Sequence, residues 1–365
     1  MSPRAEAKPA GPEERILRGS GRACRLRVGG RIEELDELTG GAPRIVLADE
    51  TVLRLHGGRL PAGPVLVVGE GEQAKTFANA ERLYEELLRL EADRGTFLVG
   101  LGGGVVCDVT GFVAATYLRG LPVGFVPTTL LAQVDAAIGG KNGVNLRGFK
   151  NLVGTIRQPE FVLCDLGLLE TLPPRERKNG LAEVVKHALI ADPALFTFLE
   201  ENAAAASALE PGVTRRLVRD SIAVKAAIVE RDEREAGERR LLNFGHSFGH
   251  AIEKTTGLSH GEAVSVGMAV AAGLSVERGL LPRPEAERVF RLLDALGLPR
   301  RTEADAASLF EGLRKDKKRS GSRIAFIFLE RIGRGVAVEL ELDALEALFS
   351  AWVRSAEGRK AWEHP

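Results

Sequence analysis

The amino-acid sequence predicts an α/β protein in two parts: a domain built on a mainly parallel sheet, then a mostly α-helical domain. Three observations carry this. Short apolar runs alternate with amphipathic stretches through the first half, the pattern of strand–helix–strand units. The pair Pro173-Pro174 marks a change of character, beyond which helical periodicity dominates. The length of 365 residues is long for one domain, so two are expected.

The stretch from Met1 to about Gly21 is rich in Pro, Ala, Gly and charge and lacks the apolar stretch of a signal peptide, so residues 1–21 are expected to be a flexible tail. The α/β domain is placed at 22–175 and the helical domain at 176–365. Segments 44–49 and 64–69 read as strands. Residues 75–93 read as a helix, with Phe77, Leu83, Leu87 and Leu90 at helical spacing. Segment 96–100 is a strand, followed by a glycine turn and a helix through Thr116; 123–126 and 161–164 continue the strand series. Beyond the prolines, 181–191, 194–209, 214–230, 246–255, 262–279, 284–296 and 303–314 read as helices, and only 323–329 and 336–340 as extended.

Apolar residues make up 44% of the chain, enough for a sizeable core. Lys plus Arg equals Asp plus Glu at 50 each, which argues against a nucleic-acid binder. Cys24, Cys107 and Cys164 have no paired spacing, which suits buried thiols in a reducing cytoplasm. No apolar run approaches the ~18 residues of a transmembrane helix.

Four constellations bear on chemistry. Gly100-Leu-Gly102-Gly103-Gly104 joins a strand to a helix, where backbone N–H groups and the helix dipole favour a phosphate; a tight packing turn accounts for it equally well. It lacks the G-x-G-x-x-G spacing. Asp49 and Gly69-Glu-Gly-Glu72-Gln-Ala-Lys75 follow two other strands, where nucleotide-contacting loops occur in doubly wound sheets. The second constellation, from Pro127 through Asp135, Lys141 and Asn145 to Lys150-Asn151, concentrates Asp, Lys and Asn beside small apolar residues; the plain alternative is a solvated loop.

The third is a cluster of His246, His250 and His260. Imidazoles are common zinc ligands, and His246 and His250, four apart, share a helical face. Upstream, Glu183 and Lys186 put a carboxylate and an amine on one face of another helix. His187 points about 100° away from Lys186 and is left out. The fourth is cationic: Lys225, Arg239-Arg240, Lys315-Asp-Lys317-Lys318-Arg319 and Arg323 form either a solvated face or a pocket for an anionic substrate.

These segments together resemble the 3-dehydroquinate synthase family of the sugar-phosphate cyclase superfamily, from about Asp49 to Leu340. The motifs are Gly102-Gly-Gly-Val-Val-Cys-Asp-Val-Thr-Gly-Phe, Tyr117-Leu-Arg119-Gly, Pro127-Thr-Thr-Leu-Leu-Ala-Gln-Val-Asp135, Gly139-Gly-Lys141, Lys150-Asn151, Leu181-Ala-Glu183-Val-Val-Lys186 and Leu241-Leu-Asn243-Phe-Gly-His246-Ser-Phe-Gly-His250-Ala-Ile-Glu253. The resemblance implies a Rossmann-like doubly wound first domain. It implies zinc, or cobalt with the same donors, on Glu183, His246 and His260, with His250 turned to substrate instead. It implies NAD at Asp49, Glu72, Lys75, Gly103, Gly104, Asp108, Thr128, Thr129, Lys141, Lys150 and Thr171. The substrate pocket would hold Asp135, Lys141, Lys186, Lys225, Asn243 and His250, with Lys150, Asn151, Arg239 and Arg323. Arg119 would reach the neighbouring subunit of a homodimer.

The implied reaction turns 3-deoxy-D-arabino-heptulosonate 7-phosphate into 3-dehydroquinate by transient oxidation, phosphate elimination, re-reduction, ring opening and aldol closure. Asp49-Glu-Thr51 stands where the family usually reads Asp-x-Asn, and Gly148-Phe149 replaces the usual Leu-Gly before Lys150. These departures leave open a sibling cyclase of the 2-deoxy-scyllo-inosose synthase type; the two-domain plan and glycine-rich turn leave open a metal-dependent alcohol dehydrogenase.

Overall fold

The computed structural model describes residues 11–19, 21–304, 306–314, 319–320, 322–355 and 358. The chain forms two compact units. Unit 1 comprises Met1–Thr128 with Gly140–Glu170; unit 2 comprises Thr129–Gly139 with Thr171–Pro365.

Unit 1 contains β1 (Glu13–Arg18), β2 (Ala23–Val28), α1 (Leu35–Leu38), β3 (Arg44–Ala48), α2 (Glu50–His56), β4 (Val65–Val67), α3 (Phe77–Arg89), β5 (Phe97–Gly102), α4 (Gly104–Thr116), β6 (Val123–Pro127), β7 (Lys141–Leu146), β8 (Phe149–Ile156) and β9 (Phe161–Cys164). Seven of these strands make one sheet in the order β1-β2-β9-β6-β5-β3-β4. All neighbours pair in parallel except β1 with β2. Strands β5, β6 and β9 are buried along their length, which is why they read as continuous apolar runs. Val99, Leu101, Val126 and Leu163 form the centre of this core.

The expected flexible tail is corrected over 13–18 by β1, which pairs with β2 from Glu13↔Val28 to Arg18↔Ala23 and buries Leu17 completely, while residues 1–10 and 20 of that tail lie outside the described residues. Glu-Glu-Arg-Ile-Leu-Arg hides a strand because an edge strand keeps its outward positions charged. Strand β3 pairs with β4 on one side and β5 on the other, so the order of building reverses there. In open α/β sheets, ligands bind outside the carboxyl ends of the strands at such a switch point. Asp49 follows β3, and Gly103-Gly104 follow β5.

The polar segment read as loop or site is divided. Residues 140–156 carry the antiparallel hairpin β7–β8 of unit 1. Its Asn142 donates to the carbonyls of Gly140 (2.9 Å) and Arg157 (3.1 Å). A Cβ on Gly111 of α4 would stand 1.9 Å from the Asn142 side-chain oxygen, so glycine is required for that approach.

Unit 2 begins with a π-helical turn at Ala132–Ala136. It continues with α5 (Pro174–Ala191), α6 (Pro193–Glu201), α7 (Ala203–Ala208), α8 (Pro211–Arg231), α9 (His246–Thr255), α10 (His260–Glu277), α11 (Arg283–Ala295), α12 (Ala306–Arg314), β10 (Arg319–Ser320), β11 (Arg323–Arg331), β12 (Arg334–Glu341) and α13 (Leu342–Arg354). The helix expected over 194–209 breaks at Asn202, which ends α6 in a non-helical conformation. Helix α13 adds Leu345, Phe349 and Trp352 to the core. Helix α10 is buried from Ala263 to Ser275, and glycines set how closely it is approached. A Cβ on Gly267 would stand 1.9 Å from the Gly245 carbonyl oxygen. On α9, Phe248 stacks on Phe349 at 5.3 Å and meets Phe310 and Phe326 edge-on.

Candidate active site

Unit 2 gathers three side chains that could hold a metal ion. Glu183 lies in α5, His246 opens α9 and His260 opens α10. One ligand atom from each lies within 4.8 Å of the others. Helix α5 reaches the 130–136 segment closely because Gly180 has no side chain; a Cβ there would stand 2.5 Å from that of Leu130. The Nε2 atoms of His246 and His260 lie 3.5 and 3.3 Å from Glu183 Oε1. Neither Glu183 oxygen has a hydrogen bond of ordinary geometry, although Lys186 touches Oε2. A buried carboxylate with two imidazole nitrogens aimed at it has the donor chemistry of a zinc-type site: two N, one O, three protein ligands.

The electrostatics follow. Burial pushes the Glu183 carboxyl up, but Lys186 and His260 outweigh it and hold it at about 2. Burial pulls the His260 imidazole down, while Glu183 and Glu253 raise it to about 9. His250 stays outside the set, its ring centroid 5.3 Å from that of His246 and 6.3 Å from that of His260.

Beside the set, Asp135 in the π-helical turn is held between two ammonium groups. Lys186 Nζ donates to its Oδ2 at 3.0 Å; Lys225 Nζ donates to its backbone oxygen at 2.6 Å and touches Oδ1. Two acids, Asp135 and Glu183, thus balance two buried lysines, and leaving either lysine unpaired would be costly. His187, omitted by the helical-wheel argument, brings a ring nitrogen within 4.8 Å of ligand atoms of Asp135 and Glu183. Burial and Lys186 push this imidazole well below the usual histidine range, so it is neutral. The positive charge there is already supplied by lysine.

The residues expected at the substrate's anionic end lie nearby in unit 2. Arg239 is buried and donates to the carbonyls of Glu233 and Gly139, the latter at 3.0 Å. Asn243 donates to Glu235 at 2.5 Å. Glu235 has φ +61, a strained value for a side-chain-bearing residue. Glu253, which accepts from His260, stands in the quoted motif without a role there, and the sequence carries no signal for Glu235.

Unit 1 groups other candidates. Lys75 is buried and donates to Asp108 at 2.6 Å and Asn151 at 2.5 Å. Glu72 accepts from Asn145 at 2.9 Å, and Asn145 in turn accepts from the Asn151 backbone at 2.8 Å. Asn151, expected at substrate, therefore sits with residues expected at the nucleotide. Asp49 caps α2 by accepting from Val52 at 2.8 Å, and burial raises its carboxyl. Gly103 caps α4 and Gly104 is its first residue; no side chain caps that end, and uncapped helix starts suit anions. The Thr128 backbone N–H donates to Gly102 at 2.9 Å.

The remaining candidates are scattered. Thr129 accepts from Ala132 at 3.1 Å, and Thr171, which ends the 3₁₀ turn Leu166–Thr171, is where the chain returns to unit 2. Lys141 and Lys150 are exposed on the hairpin. Arg119 is exposed at φ +65, next to Leu118 at φ +48. Arg323 is exposed on β11 and lies 3.6 Å from Glu341. Lys315–Lys318 lie outside the described residues.

Comparison with known proteins gives two family matches: the 3-dehydroquinate synthase N-terminal model over residues 65–179 and the C-terminal model over 180–319. A 3-dehydroquinate synthase of Pelotomaculum thermopropionicum is 42% identical over 349 residues, 90% of this chain and 94% of the relative. Among solved structures, a 2-epi-5-epi-valiolone synthase from Streptomyces hygroscopicus with NAD+ and Zn2+ bound superposes with a TM-score of 0.83 at 29% identity, covering 93% of this chain and 99% of that one. A 2-deoxy-scyllo-inosose synthase complexed with carbaglucose-6-phosphate, NAD+ and Co2+ gives 0.82 at 27%, covering 92% and 99%.

Proposed function

Because this chain belongs to the 3-dehydroquinate synthase family, we propose that it converts 3-deoxy-D-arabino-heptulosonate 7-phosphate into 3-dehydroquinate and phosphate, as a phosphate-eliminating lyase using NAD and a zinc or cobalt ion. The observation that carries the reading is the Glu183–His246–His260 set next to the Asp135–Lys186–Lys225 cluster. A metal-dependent oxidoreductase of a simple alcohol has no need of two buried ammonium groups beside its metal.

Bound NAD supplies a hydride acceptor restored within each turnover, and the metal supplies a Lewis acid for an alcohol oxygen. The side chains do the rest. Glu183, His246 and His260 hold the metal. The Gly103-Gly104 end of α4 takes the pyrophosphate, with Asp49, Glu72, Lys75, Asp108, Thr128, Thr129, Lys141, Lys150 and Thr171 as the remaining nucleotide contacts. Lys186, Lys225 and Asp135 orient substrate hydroxyls, and the lysines stabilise negative charge as it develops. Arg239, Asn243 and His250, with Lys141, Lys150, Asn151 and Arg323, serve the carboxylate and phosphate. In the elimination a C–H proton is lost and the C–O bond to phosphate breaks, phosphate leaving with the electron pair.

The test is phosphate release from the heptulosonate phosphate with NAD and a divalent metal, without bulk NADH. No release by folded, metal-loaded protein sinks the reading. The likeness to a 2-deoxy-scyllo-inosose synthase favours one second reading, a sibling cyclase, so glucose 6-phosphate belongs in the same assay. Turnover of glucose 6-phosphate alone would replace the first reading.

The enzyme is further proposed to act in the cytoplasm as a homodimer. Buried thiols at Cys24, Cys107 and Cys164 support the first point. For the second, Phe149, Leu152 and Ile156 on β8 and Leu118 beside Arg119 are exposed apolar side chains that a second copy would cover. Light scattering that gives a monomer mass refutes the dimer.

A further inference from the structure

The two imidazoles of the metal-binding set are held differently at the nitrogen facing away from Glu183. In His246, Nδ1 lies 3.2 Å from the backbone oxygen of Phe244. A carbonyl only accepts, so Nδ1 carries the proton and Nε2 presents its lone pair. In His260, Nδ1 lies 3.3 Å from Oε2 of Glu253. With a metal cation in place of the Nε2 proton the same tautomer results, but from a charged side chain.

Glu253 follows His246 by seven residues on α9, two helical turns along the same face, with His250 between them. That face looks onto the first turn of α10: the His246 and His260 rings are 5.4 Å apart. Glu253 is not needed to start α10, because Ser259 and Glu262 already form its capping box. His260 is the first residue of α10, where the helix dipole disfavours positive charge and weakens donation to a cation. A carboxylate on the opposite ring nitrogen counters that effect, as outer carboxylates do for metal-bound histidines.

We propose that Glu253 is the positioning residue of the metal site: it fixes the His260 ring with Nδ1 protonated and Nε2 aimed at Glu183, and makes Nε2 a stronger donor to a divalent cation. This rests on the metal-site reading above. The experiment measures Co2+ affinity by competition with a chromophoric chelator, together with the visible d–d bands of bound Co2+, for the unaltered protein, Glu253→Ala and Glu253→Gln.

Glu253→Ala is expected to bind Co2+ about 10–100-fold more weakly, with shifted bands. Glu253→Gln, whose amide oxygen still accepts from Nδ1–H, is expected to recover part of the affinity but not all. Affinity within about twofold of the unaltered protein and unchanged bands in Glu253→Ala overturn the proposal. So does a loss that Glu253→Gln does not relieve at all. If Glu253→Ala fails to fold, Glu253→Gln decides against the unaltered protein: weaker binding with shifted bands supports the proposal, unchanged binding overturns it. Failure of the unaltered protein to bind Co2+ removes the metal reading itself, a separate outcome.

Discussion

Gly267→Ala tests how α9 is held in place. A Cβ on Gly267 would stand 1.9 Å from the carbonyl oxygen of Gly245 and 2.9 Å from the Gly249 nitrogen. An ordinary C···O contact is about 3.3 Å, so the start of α9 must retreat by roughly 1.4 Å. Behind it, Phe248 is already packed among Phe310, Phe326 and Phe349, so the retreat meets resistance. Overpacking of this kind costs about 1–3 kcal/mol. His246 is the first residue of α9, so its Nε2 moves with the helix. Metal–ligand distances tolerate about 0.2 Å, several times less than the displacement. Denaturant unfolding is expected to show a loss of about 1–3 kcal/mol. Co2+ affinity is expected to fall by about 100-fold or more, as for ligand-shell disruption. Gly257→Ala is the control, since a Cβ there meets nothing within 4 Å. A Gly267→Ala protein with unaltered unfolding midpoint and Co2+ affinity refutes the reasoning, as does an equal effect in Gly257→Ala.

Other perturbations separate the two units' roles. Glu183→Gln removes the buried anion shared by Lys186 and the two imidazoles, and is expected to abolish metal retention after dialysis while NAD affinity stays within about threefold, less than 1 kcal/mol; full metal content in the variant contradicts this. Lys75→Met leaves Asp108 without its buried partner and is expected to weaken NAD about tenfold or more, with metal content unchanged; calorimetric titration reads it. Phe248→Ala is expected to cost about 3–5 kcal/mol in unfolding free energy, and a loss below about 1 kcal/mol contradicts the packing described. The Arg59 hydrogen bond lowers the Glu33 carboxyl from 4.5 to about 2. A lowered carboxyl contributes stability above its unfolded value that is lost as pH falls from there toward its folded value. Glu33→Gln is therefore expected to remove a small part of the acid sensitivity between about pH 4.5 and 2, small because the pair is partly exposed.

The central strands were legible because burial on both faces forces continuous apolar runs, as in Phe97–Gly102. Strand β1 was not, because its outward charges break the alternation, and β8 was not, because its mostly exposed side chains follow no core pattern. The π-helical turn under Asp135 leaves no mark in residue choice. Spacing alone paired His246 with His250 on one metal; the fold instead brings Glu183, far earlier in the chain, to His246 and His260. The motif resemblance anticipated that grouping where periodicity did not. Glu235, in the bend after α8, and Glu253, on α9, carry no local mark, because acids are common in loops and on helix faces; only tertiary contacts separate these two from the rest.

The residues around Asp135 belong to unit 2 but are made in the middle of unit 1's sequence. On the ribosome, Asp135 emerges 51 residues ahead of Lys186 and 90 ahead of Lys225. At about 5–20 residues per second, it waits several seconds for its first counterion and up to about eighteen for its second. Leu130, Ala132 and Val134, wholly buried in the finished protein, wait with it. A nascent chain cut short between these points would expose an apolar, acidic segment with no partner, a natural target for chaperones and proteases. Slowing translation across residues 186–225 should therefore lower the yield of folded protein more than slowing it after residue 260.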